Sequence, residues 1–295
     1  MKPSRALPSL AIVGAAILWS LDGLFRQHLS NISSMYIVLL EHALGAILFA
    51  PLLVKGWKEI REQDRRGWAS VLWVAVFGGL LGTFFYTKAL SYVGYIDLSV
   101  VVLLQKFQPI FAILLAVVLL RERITRRFLV YAALAILGGY FVTFKSGWPD
   151  LHVGDSRLTA SLLALGAAFA WGSSTVLGKY ALRNLSFFTM TSLRLALTAL
   201  LALPVFLAIP SPEISLTGMQ MTYVIVIVLS TGSVAVFIYY YGLKHVPATH
   251  ATLYELFWPL SAVIIDWVAY GKVLAPMQIV GGLLLVGVSI ILSRG

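Results

Sequence analysis

Apolar stretches long enough to cross a bilayer recur from one end of this chain to the other. A helix needs about 20 predominantly apolar residues to traverse a hydrocarbon core roughly 30 Å thick. Breaks at charge clusters, Pro and Gly place ten such helices near 8–28, 35–54, 69–91, 97–120, 126–144, 158–180, 187–208, 220–242, 248–270 and 276–293. Little chain is left between them, so the sequence reads as one integrated membrane unit with no separate soluble domain. Composition agrees: 60% of the 295 residues are hydrophobic and 12% are charged, against about 25% charged in soluble domains.

The charges that remain sit at span ends. A net charge of +10 would suit nucleic acid if it lay along one amphipathic face, but it does not, and topology is the better reading. With the N-terminus inside, the outer ends carry Arg26, Lys88, Lys145, Arg157 and Lys272. Lys106 and Arg194 fall within spans, and the remaining Lys and Arg lie at cytoplasmic ends, which predicts N-in and C-in. The setting expected on this pattern is the bacterial cytoplasmic (inner) membrane. Lys2 and Arg5 ahead of an apolar run resemble a signal peptide, but the run continues past Trp19 with no small-residue cleavage pattern, so it reads as the first span. Trp57, Trp68, Trp148 and Tyr270 suit interfacial belts. With no cysteine, disulfides and thiolate metal sites are excluded.

The chain also repeats itself. Gly14-Ala15-Ala16-Ile17-Leu18-Trp19-Ser20 matches Gly166-Ala167-Ala168-Phe169-Ala170-Trp171-Gly172. In the same order, Glu41 and Pro51 align with Arg194 and Pro204, Tyr86 with Tyr239, and Gln105 and Pro109 with Glu255 and Pro259. Matches in one order at an offset of about 150 residues imply duplication, with halves at 1–148 and 149–295. Five spans per half would place the second half upside down, giving an inverted repeat with a substrate site near the midplane. The expected fold is therefore an all-α membrane protein of ten transmembrane helices, two inverted five-helix repeats around a central cavity.

Polar groups inside a bilayer are costly and by default face the interior of the bundle. Trp19, Asp22 and Arg26 share one helix face, and Trp171, Ser174 and Gly178 repeat the geometry. The two tryptophans are the first choice for cavity walls. Gln105 and Gln108 precede Pro109 as Glu255 and Trp258 precede Pro259, so two proline kinks coincide with polar faces. Glu41, Arg194 and Lys106 either receive the charged ends of a solute or pair with one another, Glu41 with Arg194 for example. Tyr86 and Tyr239-Tyr240-Tyr241 supply hydroxyls to a pocket or belong to an aromatic belt. Glu255 is the candidate for proton coupling, with Asp22 second; Asp97 and Asp266 read as solvated. Gly78 and Gly82, Gly138-Gly139 and Gly281-Gly282 read as surfaces of close helix packing.

No Gly-rich loop is followed by Lys-Ser/Thr, so an ATP-driven pump has no support. The five histidines lack metal-ligand spacing, and neither a cofactor nor an enzyme is expected. Gln105-Lys106-Phe107-Gln108-Pro109-Ile110-Phe111 running to Leu120-Arg121-Glu122-Arg123, together with Glu255-Leu256-Phe257-Trp258-Pro259 and the duplicated Trp motif, resembles the drug/metabolite transporter superfamily, specifically its EamA-type ten-helix members. The resemblance covers nearly the whole chain. It implies a basket of helices moving small organic solutes by alternating access, often outward, and Trp258-Pro259 looks like the branch exporting amino acids, aromatic ones included. The chain departs from many members in having Gln108 before Pro109 and Gly271-Lys272 after the ninth span. Secondary export of an amphipathic metabolite, amino acids favoured, is the leading expectation. A carrier of anionic solutes such as sugar phosphates or nucleotide sugars, motivated by Lys106 and Arg194, is the second, and an integral-membrane enzyme or receptor the third. The expected partners are the lipid bilayer, a small-molecule substrate and, as a candidate, protons, with no nucleic acid.

Overall fold

A computed structural model describes residues 6–91, 104–105, 107–144, 155–210, 214–271 and 273–294. Within them the chain is helical, with no strand among the described residues: α1 Ala6–Arg26, α2 Ser34–Lys55, α3 Trp57–Arg61, α4 Arg65–Ala89, α5 Gln108–Leu120, α6 Arg126–Thr143, α7 Asp155–Ala181, α8 Phe187–Leu207, α9 Gly218–His245, α10 Ala248–Tyr254, α11 Phe257–Tyr270 and α12 Pro276–Arg294. Eight of these are long and apolar enough to cross a membrane: α1, α2, α4, α6, α7, α8, α9 and α12. Large side chains such as Ile47 and Leu283 are exposed on them by 73% and 69%. An outer surface so apolar belongs in hydrocarbon rather than water. The chain is an integral membrane protein.

Local chemistry sets the helix starts. Asp64, Thr125, Ser186 and Thr217 each accept a backbone N–H from the first turn of α4, α6, α8 and α9, satisfying donors that have no intrahelical partner. At α9 the cap is reciprocal, because Gln220 reaches back to Thr217. Glu122 does the same work from a distance, accepting from the amides of Ala248 and Thr249 at 2.8 and 3.0 Å at the start of α10.

Two departures from the expected spans matter. The ninth, 248–270, is not continuous: α10 ends at Tyr254 and α11 begins at Phe257. Proline clashes with the carbonyl four residues earlier, which for Pro259 is that of Glu255, and the chain turns there, with the Trp258 N–H bonding to the Glu255 carbonyl at 3.0 Å. The described part of the fourth span, 97–120, is Leu104–Gln105 and residues from Phe107 on, with Pro109 in the first turn of α5. Most of its first half, with Asp97, lies outside the described residues, as do Trp148 and Lys106. Elsewhere the helices swell into π turns at Val74–Leu81 within α4, Ala116–Leu120 at the end of α5 and Val228–Gly232 within α9, shifting carbonyls out of the regular ladder.

The helices pack reciprocally. α2 lies on α8 and α6 on α12, while α1 packs on α9 and α7 on α4. Small residues permit the closest approaches. Gly138 of α6 and Gly281 of α12 meet backbone to backbone: a Cβ on Gly281 would stand 2.8 Å from the Val142 nitrogen and 2.9 Å from the Phe141 Cβ. On α4 a Cβ at Gly78 would stand 2.9 Å from the Ser174 Cβ of α7.

Gly281→Val should therefore lower the stability of the purified protein by about 1–3 kcal/mol, because backbone atoms cannot move aside as a side chain would. Gly287→Ala, on the same helix with open space around it, should leave it unchanged. Thermal unfolding in detergent checks both; equal midpoints for Gly281→Val and wild type would contradict the packing.

Candidate functional site

One cavity lies at the centre of the bundle, lined from α1, α2, α4, α5 and the turn before it, α7, α8, α9, α10 and α11. Its volume of about 170 Å³ is roughly ten times the 10–15 Å³ that one water requires. An organic solute fits this scale, and the wall is built to suit one, with aromatic faces and convergent polar groups.

The two motif tryptophans sit in matching corners. Trp19 of α1 donates its indole N–H to the Thr231 carbonyl in the π turn of α9, 3.0 Å away. Trp171 of α7 donates to the Gly78 carbonyl in the π stretch of α4, at 3.2 Å. Each ring also meets a tyrosine: Trp19 and Tyr239 are 5.2 Å apart between centroids, Trp171 and Tyr86 5.3 Å, both tilted. A π turn frees a carbonyl that an apolar interior cannot leave unpaired, and in both places a tryptophan from the other half of the chain takes it. Trp258 closes the ring of aromatics, donating to the Trp19 carbonyl at 3.0 Å and standing edge-on to Tyr86.

Charged groups gather on one wall. Arg26 donates to Asp22 one turn earlier on α1 and, at 2.7 Å, to Glu41 of α2. Thr231 donates to the second Asp22 oxygen at 2.6 Å, and Thr87 accepts a long bond from Arg26 at 3.4 Å. Asp22, Arg26 and Glu41 are 9%, 7% and 6% exposed. Burial at this level is tolerated only because each charge has its partner. Beside them His42 donates from Nδ1 to the Val38 carbonyl at 2.8 Å.

Glu255 stands on another wall at the break between α10 and α11. Tyr239 donates to it at 2.7 Å, Thr175 at 3.4 Å, and Gln108 through its side-chain amide. No cation lies within ion-pair distance of it among the described residues. Arg194 of α8 donates to the Gly78 carbonyl at 2.8 Å and to the Tyr240 hydroxyl at 3.3 Å.

Of the residues singled out in the sequence, Trp19, Asp22, Glu41, Tyr86, Gln105, Gln108, Trp171, Arg194, Tyr239, Glu255 and Trp258 all line this cavity; Lys106 is outside the described residues. One sequence expectation needs correction. Glu41 does not pair with Arg194, because Arg26 reaches it first. Arg26, expected on one face with Asp22, is the buried partner of both acids. Tyr241 turns away from the cavity, packing on Phe187 and His245. Sequence reasoning missed His42, Thr83, Thr175, Thr231 and Thr252 in the lining, while Tyr240, of the Tyr239-Tyr240-Tyr241 run, lies there as well. The signal was their polarity within apolar spans, clearest for Thr231 beside Gly232. No cluster of His, Cys, Asp and Glu fit to hold a metal occurs among the described residues.

Comparison with known proteins gives this architecture relatives. The EamA-like transporter family model matches residues 7–144 and again 158–294. The chain is 38% identical over 282 residues to the riboflavin transporter ImpX of Fusobacterium nucleatum subsp. nucleatum, covering 94% of each. It is 22% identical to the uncharacterized transporter YoaV of Bacillus subtilis, over 94% of this chain and 93% of that one, and 25% identical to protein LicB of Haemophilus influenzae, over 92% of each. A crystal structure with 19% identity matches 98% of this chain and 96% of its own with a TM-score of 0.77, a likeness of fold alone.

The charged wall generates its own test. Arg26→Leu strands two buried carboxylates and should cost about 3–5 kcal/mol, seen as a sharp fall in folded yield and in the thermal midpoint in detergent. Glu41→Gln, which leaves Arg26 paired with Asp22, should cost less. Wild-type stability of Arg26→Leu would contradict the arrangement.

Proposed function

The chain belongs to the EamA-like transporter family, and from that premise we propose that it is a secondary transporter for a neutral, planar heteroaromatic solute of the riboflavin class. Family and transporter-named relatives point to a transporter rather than an enzyme. The observation that carries the solute class is the aromatic cage: the Trp19–Tyr239 and Tyr86–Trp171 corners with Trp258 between them offer faces for a flat ring system, worth about 0.5–1.5 kcal/mol per pair beyond area. A relative of 38% identity, named as a riboflavin transporter, supports the same chemistry. Amino acids fit less well, because Asp22 and Glu41 already pair with Arg26 and most amino acids offer no flat ring to the two aromatic corners.

The substrate-binding set of this reading is Trp19, Asp22, Glu41, Tyr86, Gln105, Gln108, Trp171, Arg194, Tyr239, Glu255 and Trp258, with Lys106 added on sequence grounds. The transporter works by alternating access between two inverted halves, 1–148 and 149–295, of five spans each, with both termini on the cytoplasmic side of the bacterial inner membrane. The reciprocal tryptophan bonds and the double match of the family model support that arrangement. α10 and α11 together make the ninth span, and a helix broken at the cavity is where such carriers bind. Glu255, hydrogen-bonded but without a cation within ion-pair distance among the described residues, is the proton-coupling residue.

Purified protein in liposomes should take up labelled riboflavin, and unlabelled riboflavin should compete better than any amino acid. An imposed pH gradient should drive accumulation above equilibrium, and Glu255→Gln should abolish that accumulation while sparing exchange. Uptake of amino acids in preference to riboflavin would overturn the solute reading; flux that runs only to equilibrium under every pH gradient would overturn the coupling.

A further inference from the structure

The cavity wall carries hydrogen-bond donors that the described residues engage only in part. Arg194 carries five N–H donors, and the structure engages them with only the Gly78 carbonyl and the Tyr240 hydroxyl. No carboxylate lies within ion-pair distance of it among the described residues. Glu41 feels the charge of Arg194 but gives its hydrogen bond to Arg26. Three further buried groups on the same lining have polar atoms without partners among the described residues: the Gln105 amide nitrogen and the Ser174 and Thr252 hydroxyls. Their residues are 6%, 6% and 0% exposed. A buried polar atom left unpaired costs about 1–3 kcal/mol, so a ligand that supplied the partners would recover that cost. The acids, by contrast, are occupied: Asp22 by Arg26 and Thr231, Glu41 by Arg26, Glu255 by Tyr239, Thr175 and Gln108.

We infer that Arg194, with Gln105 and Ser174, is the specificity-determining group of the transporter, reading an acceptor-rich carbonyl edge of the solute. The inference rests on the flavin reading above and deepens it. An isoalloxazine presents two ring carbonyls flanking one N–H along its pyrimidine edge. Arg194 and the Gln105 amide nitrogen donate to acceptors of that kind, and a hydroxyl such as Ser174 serves either role. The aromatic corners hold the ring faces, which all flat heterocycles share, whereas the donor set selects among them. An amine is disfavoured, since it would bring a second positive charge into the cavity beside Arg194.

The probes are riboflavin and its 2-thio analogue, in which sulfur replaces one ring carbonyl oxygen and accepts a hydrogen bond more weakly. In proteoliposomes the wild-type protein should show a lower KM for riboflavin than for the thio compound. Arg194→Gln should raise the riboflavin KM about tenfold or more, the loss expected of a charged hydrogen bond, and flatten the ratio between the two compounds. A general structural defect would instead lower the maximal rate for both equally. Should Arg194→Gln not fold, Arg194→Lys and Gln105→Leu decide, each expected to narrow the ratio. Wild-type transport of riboflavin with an unchanged ratio in the variants overturns the role of Arg194 alone. Failure of the wild-type protein to transport riboflavin overturns the flavin reading beneath it.

Discussion

A polar group inside this bundle has no water to fall back on, and the fold is organised by where each finds its partner. Two π turns, in α4 and α9, push carbonyls out of their helices toward the interior. Without donors, each would cost as much as a lost hydrogen bond. The donors come from the far half of the chain, Trp19 for α9 and Trp171 for α4. The same two bonds that satisfy the backbone fix both indoles against tyrosines and so set the width of the cavity between them. Structure and site share one solution.

Charge obeys the same rule with less symmetry. The aromatic corners match across the two halves, but the charged positions do not: Glu41 in α2 answers to Arg194 in α8 by sequence order, and each finds a different partner. Glu41 joins Arg26 and Asp22 in a closed cluster, whereas Arg194 holds a carbonyl and a phenol. Two acids in that cluster share one base, whereas Arg194 has no carboxylate within ion-pair distance among the described residues. A matched aromatic cage with unmatched electrostatics suits a carrier that must recognise one orientation of an asymmetric solute.

Much of this was legible in the sequence because the bilayer makes two demands that leave marks on it. Apolar length marks helices, so the eight long spans fall close to their expected places. Polar residues beside the two prolines mark the cavity, and Gln105 and Glu255 were found that way, whereas Trp19 and Trp171 were found from the duplicated motif. Illegible features share a cause: they depend on which groups meet in three dimensions. Arg26 stands at a span end, where a positive charge ordinarily serves topology, and only the approach of α2 turns it into a buried partner. Pro259 announced a kink, but nothing in the local sequence said that the chain would break at Glu255 rather than bend through it. Glu122 read as part of a charged loop motif, while its work is to cap α10 from more than a hundred residues away. The hydroxyls of Thr175 and Thr252 were hidden because threonine is common in membrane helices for other reasons.

The central claim is that the two tryptophan corners form one cavity that holds a flat heterocycle against the indoles. Flavin fluorescence measures this directly, since an indole in van der Waals contact quenches flavin emission and a benzene ring does not. Titrating riboflavin with the purified protein should quench its emission to saturation at one flavin per chain. The double variant Trp19→Phe, Trp171→Phe should still bind, by equilibrium dialysis, with part of the quenching gone and the rest supplied by Trp258, Tyr86 and Tyr239. Binding with undiminished emission in the wild-type protein, or quenching in the double variant equal to that of the wild type, would contradict it.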